Sequence, residues 1–111
     1  MELTEELQGR VVIVTARGRL DGNTCQAFGA RLEKLTAGAQ PRLLVDFSGI
    51  EFVSSAGLRV VLSLIKRVKG AHGTLALCAV RPPVREVLDI TGFTAMLDMH
   101  ASRAEGIAAL A

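Results

Sequence analysis

At 111 residues the chain is long enough for one hydrophobic core, and we predict a single domain over residues 1–111. Half of the residues are hydrophobic but only 4% are aromatic, with no Trp or Tyr, so few side chains could stack on bases. Because the net charge is only +2 and the cations are scattered, we do not expect the protein to bind nucleic acid.

The sequence shows no targeting or membrane segment. Its start, MELTEELQGR, is acidic and lacks an apolar stretch, which predicts that there is no secretory signal. The apolar runs cover only a few residues, far short of the roughly 20 that cross a bilayer. We therefore expect a cytoplasmic protein without membrane insertion.

The cysteines and histidines do not have the spacing of a metal or cofactor site. Cys25 and Cys78 lie far apart and outside any Cys-x-x-Cys pattern, so we expect two buried thiols rather than a disulfide. A predicted strand and helix separate His72 from His100. We predict no metal and no cofactor.

The first half of the chain alternates between strand and helix patterns. A short edge strand is predicted around Leu3, and GRVVIVTARGRL reads as a β-branched, mostly buried strand. A helix follows in DGNTCQAFGARLEKLTAG, with Asp21 or Asn23 as its cap. PRLLVDF is apolar through its middle and is predicted to be a second buried strand.

The second half opens with the clearest helix, which follows SGIEFVSS. Five apolar side chains recur there at helical spacing: Leu58, Val61, Leu62, Ile65 and Val68. TLALCAV is a strand, Pro82 or Pro83 opens a short helix in VREVLDITGF, and TAMLDMH supplies a last short strand. Ser102 is expected to cap a C-terminal helix.

This order of elements predicts an α/β fold. Strands that alternate with helices favour right-handed crossovers, with the helices packed on a largely parallel sheet. We expect a mixed, mostly parallel sheet of four or five strands with about four helices packed on it, in which the N-terminal edge strand pairs antiparallel.

The serines of EFVSSAGLR stand at the entrance of the clearest helix. Ser55 directly precedes that helix, where its hydroxyl could accept a hydrogen bond from a free N–H group of the first turn. Ala56 and Gly57 leave the first turn almost bare, and a glycine there costs roughly 1 kcal/mol of helix propensity relative to Ala. This pattern indicates close approach of another group to the helix backbone, and a phosphate is one candidate.

Three segments resemble STAS domains, and in particular the anti-sigma-factor antagonists. LLVDFSGIEFVSSAGLRVVL is similar to the family signature, in which a strand ending in Asp-Leu-Ser precedes a hydrophobic-Asp-Ser-Ser/Thr-Gly-Leu segment and a helix. GRVVIVTARGRLDGNT resembles the family's second strand and its Gly-x-Leu-Asp loop, and PPVREVLDITGF resembles a helix that closes with Thr-Gly. The resemblance covers most of the chain and implies a STAS-like fold.

The signature carries over residue by residue. Residues 46–48 match the Asp-Leu-Ser at the strand end. Ser55 stands where the family has its phosphorylated Ser or Thr, and Ala56 and Gly57 match the small residue and the glycine that follow. Ser54 is a departure, because the family usually has Asp there. The substitution removes a carboxylate beside the acceptor but leaves the acceptor in place.

The resemblance implies partner switching. Antagonists of this family bind an anti-sigma factor that is also a serine kinase of the ATPase fold related to histidine kinases, and the sigma factor is thereby freed for transcription. The kinase inactivates the antagonist by phosphorylating the loop serine, and a PP2C-type phosphatase restores it. For this chain the resemblance implies phosphorylation at Ser55 within a partner-binding surface that includes Ser54, Ala56 and Gly57. ATP and magnesium would belong to the kinase, and the oligomeric state, including a weak homodimer, stays open.

Further contact residues are predicted from their positions. Asp21 and Asn23 lie in a loop expected at the same sheet edge as Ser55, with helix capping as the alternative role. Arg59, on the helix after Ser55, faces either a partner or solvent. Asp46 is expected to end its strand and to bind the backbone of SGIEF.

Three other functions are alternatives to partner switching. An enzyme using a serine nucleophile lacks a Gly-x-Ser-x-Gly elbow and a histidine in a triad context, so we predict no enzymatic activity. Nucleotide binding by the domain itself lacks a Walker-type loop. A docking subunit of a lipid-transport ABC complex or of a sensory assembly would keep the same fold, and the serine does not distinguish it from a switching protein.

Overall fold

The strands of the computed structural model, which describes residues 1–111, lie side by side in chain order in one sheet. β1 (Glu2–Gln8) pairs antiparallel with β2 (Val11–Leu20). The sheet then continues in parallel through β3 (Arg42–Val53), β4 (Thr74–Cys78) and β5 (Asp98–His100). The predicted mixed, mostly parallel sheet is confirmed, with five strands and an antiparallel N-terminal edge.

Four helices connect and flank these strands, as predicted. They are α1 (Cys25–Leu35), α2 (Ser55–Gly70), α3 (Pro82–Ile90) and α4 (Arg103–Leu110), and a single 3₁₀ turn over Phe93–Ala95 follows α3. None of the helices combines the length and the apolar character that a membrane crossing requires.

The two faces of the sheet are covered unequally. Alternate residues of β2 point to opposite faces, so that Val14 and Ala16 join a cluster of 21 buried residues, together with side chains of α1, α2 and α3. Val11 and Ile13 point the other way, into a cluster of six buried residues that includes one residue of α4. The short helix α4 is therefore the main cover of the second face.

β3 runs six residues further than predicted from PRLLVDF, and two irregularities interrupt its pairing with β2. Thr15 pairs with Asp46 and Arg17 with Gly49, so β3 uses three steps where β2 uses two. A second extra residue lies just before the pair formed by Arg19 and Phe52. Bulges of this kind bend a strand and re-aim its side chains.

The predicted caps and thiols have mixed outcomes. Thr24 precedes α1 and makes no side-chain capping bond, so the prediction that Asp21 or Asn23 caps this helix is wrong. Ser102 does cap α4, since its hydroxyl accepts a hydrogen bond from the Glu105 N–H at 3.2 Å. Both cysteines are free and buried, as predicted.

Candidate functional site

Ser54, and not Ser55, caps α2. The backbone of Ser54 is extended, and its Oγ accepts a hydrogen bond from the Gly57 N–H at 3.2 Å. This satisfies one of the four N–H groups that the first turn of a helix leaves free. The prediction that Ser55 is the cap is wrong by one residue. Ser54 thus performs the capping role for which an aspartate would also be suited.

Ser55 is the first residue of α2, and its side chain is exposed. Its hydroxyl makes no hydrogen bond within the protein, because Ser54 performs the capping. The hydroxyl therefore lies at the positive end of the helix dipole, where backbone N–H groups favour a negatively charged group. The geometry permits a phosphoryl group to be attached to Ser55 Oγ without breaking the cap.

Gly57 is buried, at the point where the first turn of α2 meets the end of β2. A Cβ atom at this position would lie 2.6 Å from the Leu20 carbonyl oxygen, 2.9 Å from Leu20 Cγ and 3.2 Å from Val53 Cγ1. The bare first turn therefore lets the end of β2 approach the helix backbone. The group that approaches the glycine belongs to this chain itself.

The loop after β2 lies at the same sheet edge as the start of α2, as predicted. Leu20 and Val53 are register partners at the ends of their strands, and the Leu20 carbonyl accepts a hydrogen bond from the Ser54 N–H at 2.9 Å. Within the loop, Asp21 Oδ1 accepts a hydrogen bond from the Asn23 N–H at 2.9 Å. Asp21 therefore shapes its own turn and leaves the Asn23 side chain exposed.

The remaining predicted contact residues lie on the first turns of α2. Arg59 is exposed and forms no ion pair within the protein, so its guanidinium is free to meet a partner or solvent. Ala56 is half-buried and packs against the large core cluster. Of the seven predicted contact residues, three are exposed: Asn23, Ser55 and Arg59.

Two exposed residues beside this site were not predicted from the sequence. Arg19 and Phe52 are register partners near the ends of β2 and β3, and the guanidinium carbon of Arg19 lies 4.4 Å from the centroid of the Phe52 ring. The available signal was a phenylalanine that directly follows the charged Glu51. An extra residue in β3 just before Phe52 changes the sheet face to which Phe52 points, so the sequence alone does not predict that its side chain is exposed.

Asp46 lies within β3 and does not end the strand, which corrects the prediction. It is only 8% exposed, and its Oδ1 accepts a hydrogen bond from the Ser48 N–H at 2.9 Å, which is the predicted contact with SGIEF. Its Oδ2 lies 3.1 Å from Nη2 of Arg103 on α4. Burial alone would raise the pKa of the Asp46 carboxyl, but hydrogen bonds from Ser48 and Arg103 outweigh burial and hold the pKa below its usual value.

The neighbours of Asp46 also have structural roles. Cys78 is its register partner on β4, and burial, followed by the nearby Asp46 charge, raises the pKa of the Cys78 thiol to about 11. Such a thiol stays protonated at neutral pH and is a poor nucleophile. Arg81 donates a hydrogen bond from Nε to the Ser48 carbonyl at 2.7 Å. The structure brings no three His, Cys, Asp or Glu side chains together at metal-binding distance.

Comparison with known proteins gives one consistent result. Residues 3–106 match the model of the STAS domain family. The chain is 32% identical over 109 residues to a Bordetella bronchiseptica protein provisionally named anti-sigma factor antagonist BtrV, with 98% of this chain and 94% of that protein covered. It is 24% identical over 111 residues to the anti-sigma F factor antagonist of Paenibacillus polymyxa, with 99% and 95% covered. The solved structure of the Bacillus cell fate determinant SpoIIAA in the phosphorylated form shares the fold, with a TM-score of 0.76 and 21% identity over 99% of this chain and all of that one.

Proposed function

Because this chain belongs to the STAS domain family, we propose that it is an anti-sigma factor antagonist that is switched off by phosphorylation of Ser55. Its relatives are anti-sigma factor antagonists, which are regulatory proteins and not enzymes. In the proposed mechanism the unphosphorylated protein binds an anti-sigma factor, and the sigma factor is thereby freed.

The observation that carries the proposal is the division of roles between two adjacent serines. Ser54 caps α2, whereas Ser55 presents an exposed hydroxyl that no group of the protein occupies. A kinase can therefore modify Ser55 without unfolding the helix entrance. A protein of the same fold has been solved in a phosphorylated form, which supports the chemistry.

The switch itself follows from charge. A phosphoryl group adds about −1.5 to −2 charges at neutral pH. The free helix end tolerates this charge, because the dipole and the first-turn N–H groups favour an anion. In a complex the same charge would be buried against the partner, where desolvation and repulsion oppose binding.

The proposed partner is a serine-kinase anti-sigma factor with the ATPase fold related to histidine kinases. A PP2C-type phosphatase would remove the phosphate and restore binding. The kinase would supply ATP and magnesium, so the antagonist contributes only the acceptor hydroxyl and the docking surface. That surface comprises the exposed residues Asn23, Ser55 and Arg59, with Asp21, Ser54, Ala56 and Gly57 behind them.

A capture experiment with matched variants tests the proposal. Wild-type, Ser55→Ala and Ser55→Asp proteins are immobilised, and the proteins that each retains from extract of the native cell are identified by mass spectrometry. We expect wild type and Ser55→Ala to retain a kinase of the stated fold and Ser55→Asp to lose it. Retention by Ser55→Asp at the wild-type level would contradict the charge switch, and capture of an ABC permease in place of a kinase would favour the docking-subunit alternative.

The acceptor is mapped separately. The purified kinase and ATP are incubated with wild-type, Ser54→Ala and Ser55→Ala proteins, and the modified residue is located by fragmentation. We expect phosphate on Ser55 in wild type and in Ser54→Ala, and none in Ser55→Ala. Phosphate on Ser54 alone would show that the acceptor has been placed one residue too far along the chain.

A further inference from the structure

An arginine and a phenylalanine form an exposed stacked pair at the carboxyl edge of the sheet. The Arg19 guanidinium lies over the Phe52 ring at 4.4 Å, an arrangement in which the cation is attracted to the aromatic face. Phe52 is 41% exposed and the Arg19 side chain is 58% exposed. The other three phenylalanines are buried: Phe28, Phe47 and Phe93. A large apolar side chain is thus held on the surface in an ordered position.

The pair lies on the part of the second sheet face that α4 leaves open. Arg19 points to the same face as Val11 and Ile13, because alternate residues of β2 share a face. Val11 and Ile13, near the start of β2, are buried in the cluster to which α4 contributes Leu110. Arg19 lies near the other end of the strand and remains exposed.

The guanidinium of Arg19 has free hydrogen-bond donors. It donates no hydrogen bond within the protein, and its nearest charged neighbour is Asp21, with Nε 3.7 Å from Oδ2. That distance is too long for a hydrogen bond, so the two side chains form an ion pair in which the guanidinium keeps its N–H donors free. Stacking on Phe52 holds the planar group in place, and its N–H groups match the geometry of a carboxylate.

The pair is continuous with the proposed phosphorylation site. Arg19 and Phe52 directly precede Leu20 and Val53, the two register partners at the strand ends. Leu20 in turn accepts the hydrogen bond from the Ser54 N–H that joins the loop to the start of α2. A protein that covers Ser55 at this edge can therefore reach both side chains.

We propose that Arg19 and Phe52 are specificity-determining residues of the docking surface, where they bind a partner carboxylate flanked by an apolar side chain. The inference rests on the proposed function, because the occupant is the same anti-sigma factor that covers Ser55. Arginine and aromatic side chains dominate the binding energy of many interfaces, especially where they are preordered. Here the cation provides orientation through paired hydrogen bonds, and the ring provides apolar area.

The test uses the protein that wild type captures and Ser55→Asp loses, purified and titrated calorimetrically at two salt concentrations. The variants are Arg19→Glu and Phe52→Ala. The controls are Lys66→Glu and Ile90→Ala, which change an exposed cation on α2 and a 78% exposed apolar residue on α3. Thermal unfolding of each variant establishes that it is folded.

We expect Arg19→Glu to raise Kd about 100-fold or more and Phe52→Ala to raise it about 10-fold. Both controls should have a Kd within about 3-fold of the wild-type value. Arg19→Glu should also reduce the dependence of Kd on salt, because an ion pair is lost. If folded Arg19→Glu and Phe52→Ala bind the partner with wild-type affinity, and Ser55→Asp still loses it, this inference is overturned. Retention of every captured protein by Ser55→Asp would instead overturn the proposed function itself.

Discussion

Asp46 on β3 and Arg103 on α4 form an ion pair that joins the C-terminal helix to the sheet. Oδ2 of Asp46 lies 3.1 Å from Nη2 and 3.3 Å from Nε of Arg103, and the same guanidinium contacts Glu6 on β1 and Thr15 on β2. One arginine thus connects α4 to three strands. Because α4 is short and is the main cover of its sheet face, we expect this contact to stabilise its position on the sheet.

We predict that Asp46→Asn lowers the free energy of unfolding by about 2–3 kcal/mol. Removal of one partner from a buried pair costs 3–5 kcal/mol, and the partial exposure of Arg103 reduces that figure. Urea unfolding at pH 7 measures the change. Asp89→Asn is the control, because its pair with Arg85 is exposed and should contribute at most about 0.5 kcal/mol. Equal losses in the two variants would contradict a special role for Asp46.

The pair of Asp46 and Arg103 should make the free energy of unfolding depend on pH in the acidic range. The pKa of Asp46 is lower in the folded protein than the value of about 3.9 in an unfolded chain. Its contribution is therefore complete above about pH 4 and is lost as the pH falls through the folded pKa. We expect the difference in unfolding free energy between wild type and Asp46→Asn to be constant from pH 5 to 7 and to shrink below pH 4. A difference that stays constant down to pH 2 would show that the charge of Asp46 is not responsible.

The two serines should differ in their effect on stability. Ser54→Ala removes the bond from the Gly57 N–H, and we expect a loss of about 1 kcal/mol. Ser55→Ala removes no hydrogen bond and places a better helix former at the first helical position, so its stability should change by less than about 0.5 kcal/mol. Denaturant unfolding of both variants measures the contrast. A larger loss of unfolding free energy in Ser55→Ala than in Ser54→Ala would show that Ser55 is the cap.

Gly57 should be required for the fold rather than for binding alone. Gly57→Ala places a Cβ atom against the Leu20 carbonyl, and we expect a loss of about 1–3 kcal/mol from overpacking. Gly70 on the same helix has no atom within 4 Å of an added Cβ, so Gly70→Ala should leave stability unchanged or raise it by up to about 1 kcal/mol. Thermal unfolding compares the two. Wild-type stability in Gly57→Ala would mean that the end of β2 moves aside at little cost.

The order of the elements could be predicted from the sequence because the apolar residues of most segments recur at a clear helix or strand spacing. The apolar residues of α2 recur at helical spacing, and Val61, Ile65 and Val68 are buried as expected. The second half of β3 lacks that regularity. Its buried residues Phe47 and Ile50 stand three apart, since a bulge adds a residue between them, and a strand pattern of period two does not detect this.

Part of the candidate site could also be predicted from the sequence, and part of it could not. The meeting of the Asp21 loop with the start of α2 follows from parallel strands, whose carboxyl ends share one edge. Both adjacent serines have a side chain that can cap a helix, so residue type does not distinguish them. The cap is the residue at which the backbone leaves the extended conformation, and that position is seen only in the structure. The pair of Asp46 and Arg103 joins residues 57 positions apart, and no local pattern reports such a contact.

The final prediction concerns the departure from the family at Ser54. Ser54→Asp should preserve the cap, because aspartate and serine are about equally good at this position, and stability should stay within about 0.5 kcal/mol of wild type. The added carboxylate should raise the second pKa of a phosphate on Ser55 by about half a unit, since two neighbouring negative charges disfavour the dianion. Phosphorus NMR of the phosphorylated protein across pH 5–8 measures that pKa. Ser54→Asn is the matched control, because asparagine caps equally well without a charge, and it should leave the phosphate pKa unchanged. A shift of equal size in both variants would attribute it to a rearranged cap, and no shift in Ser54→Asp would place the phosphate out of reach of residue 54.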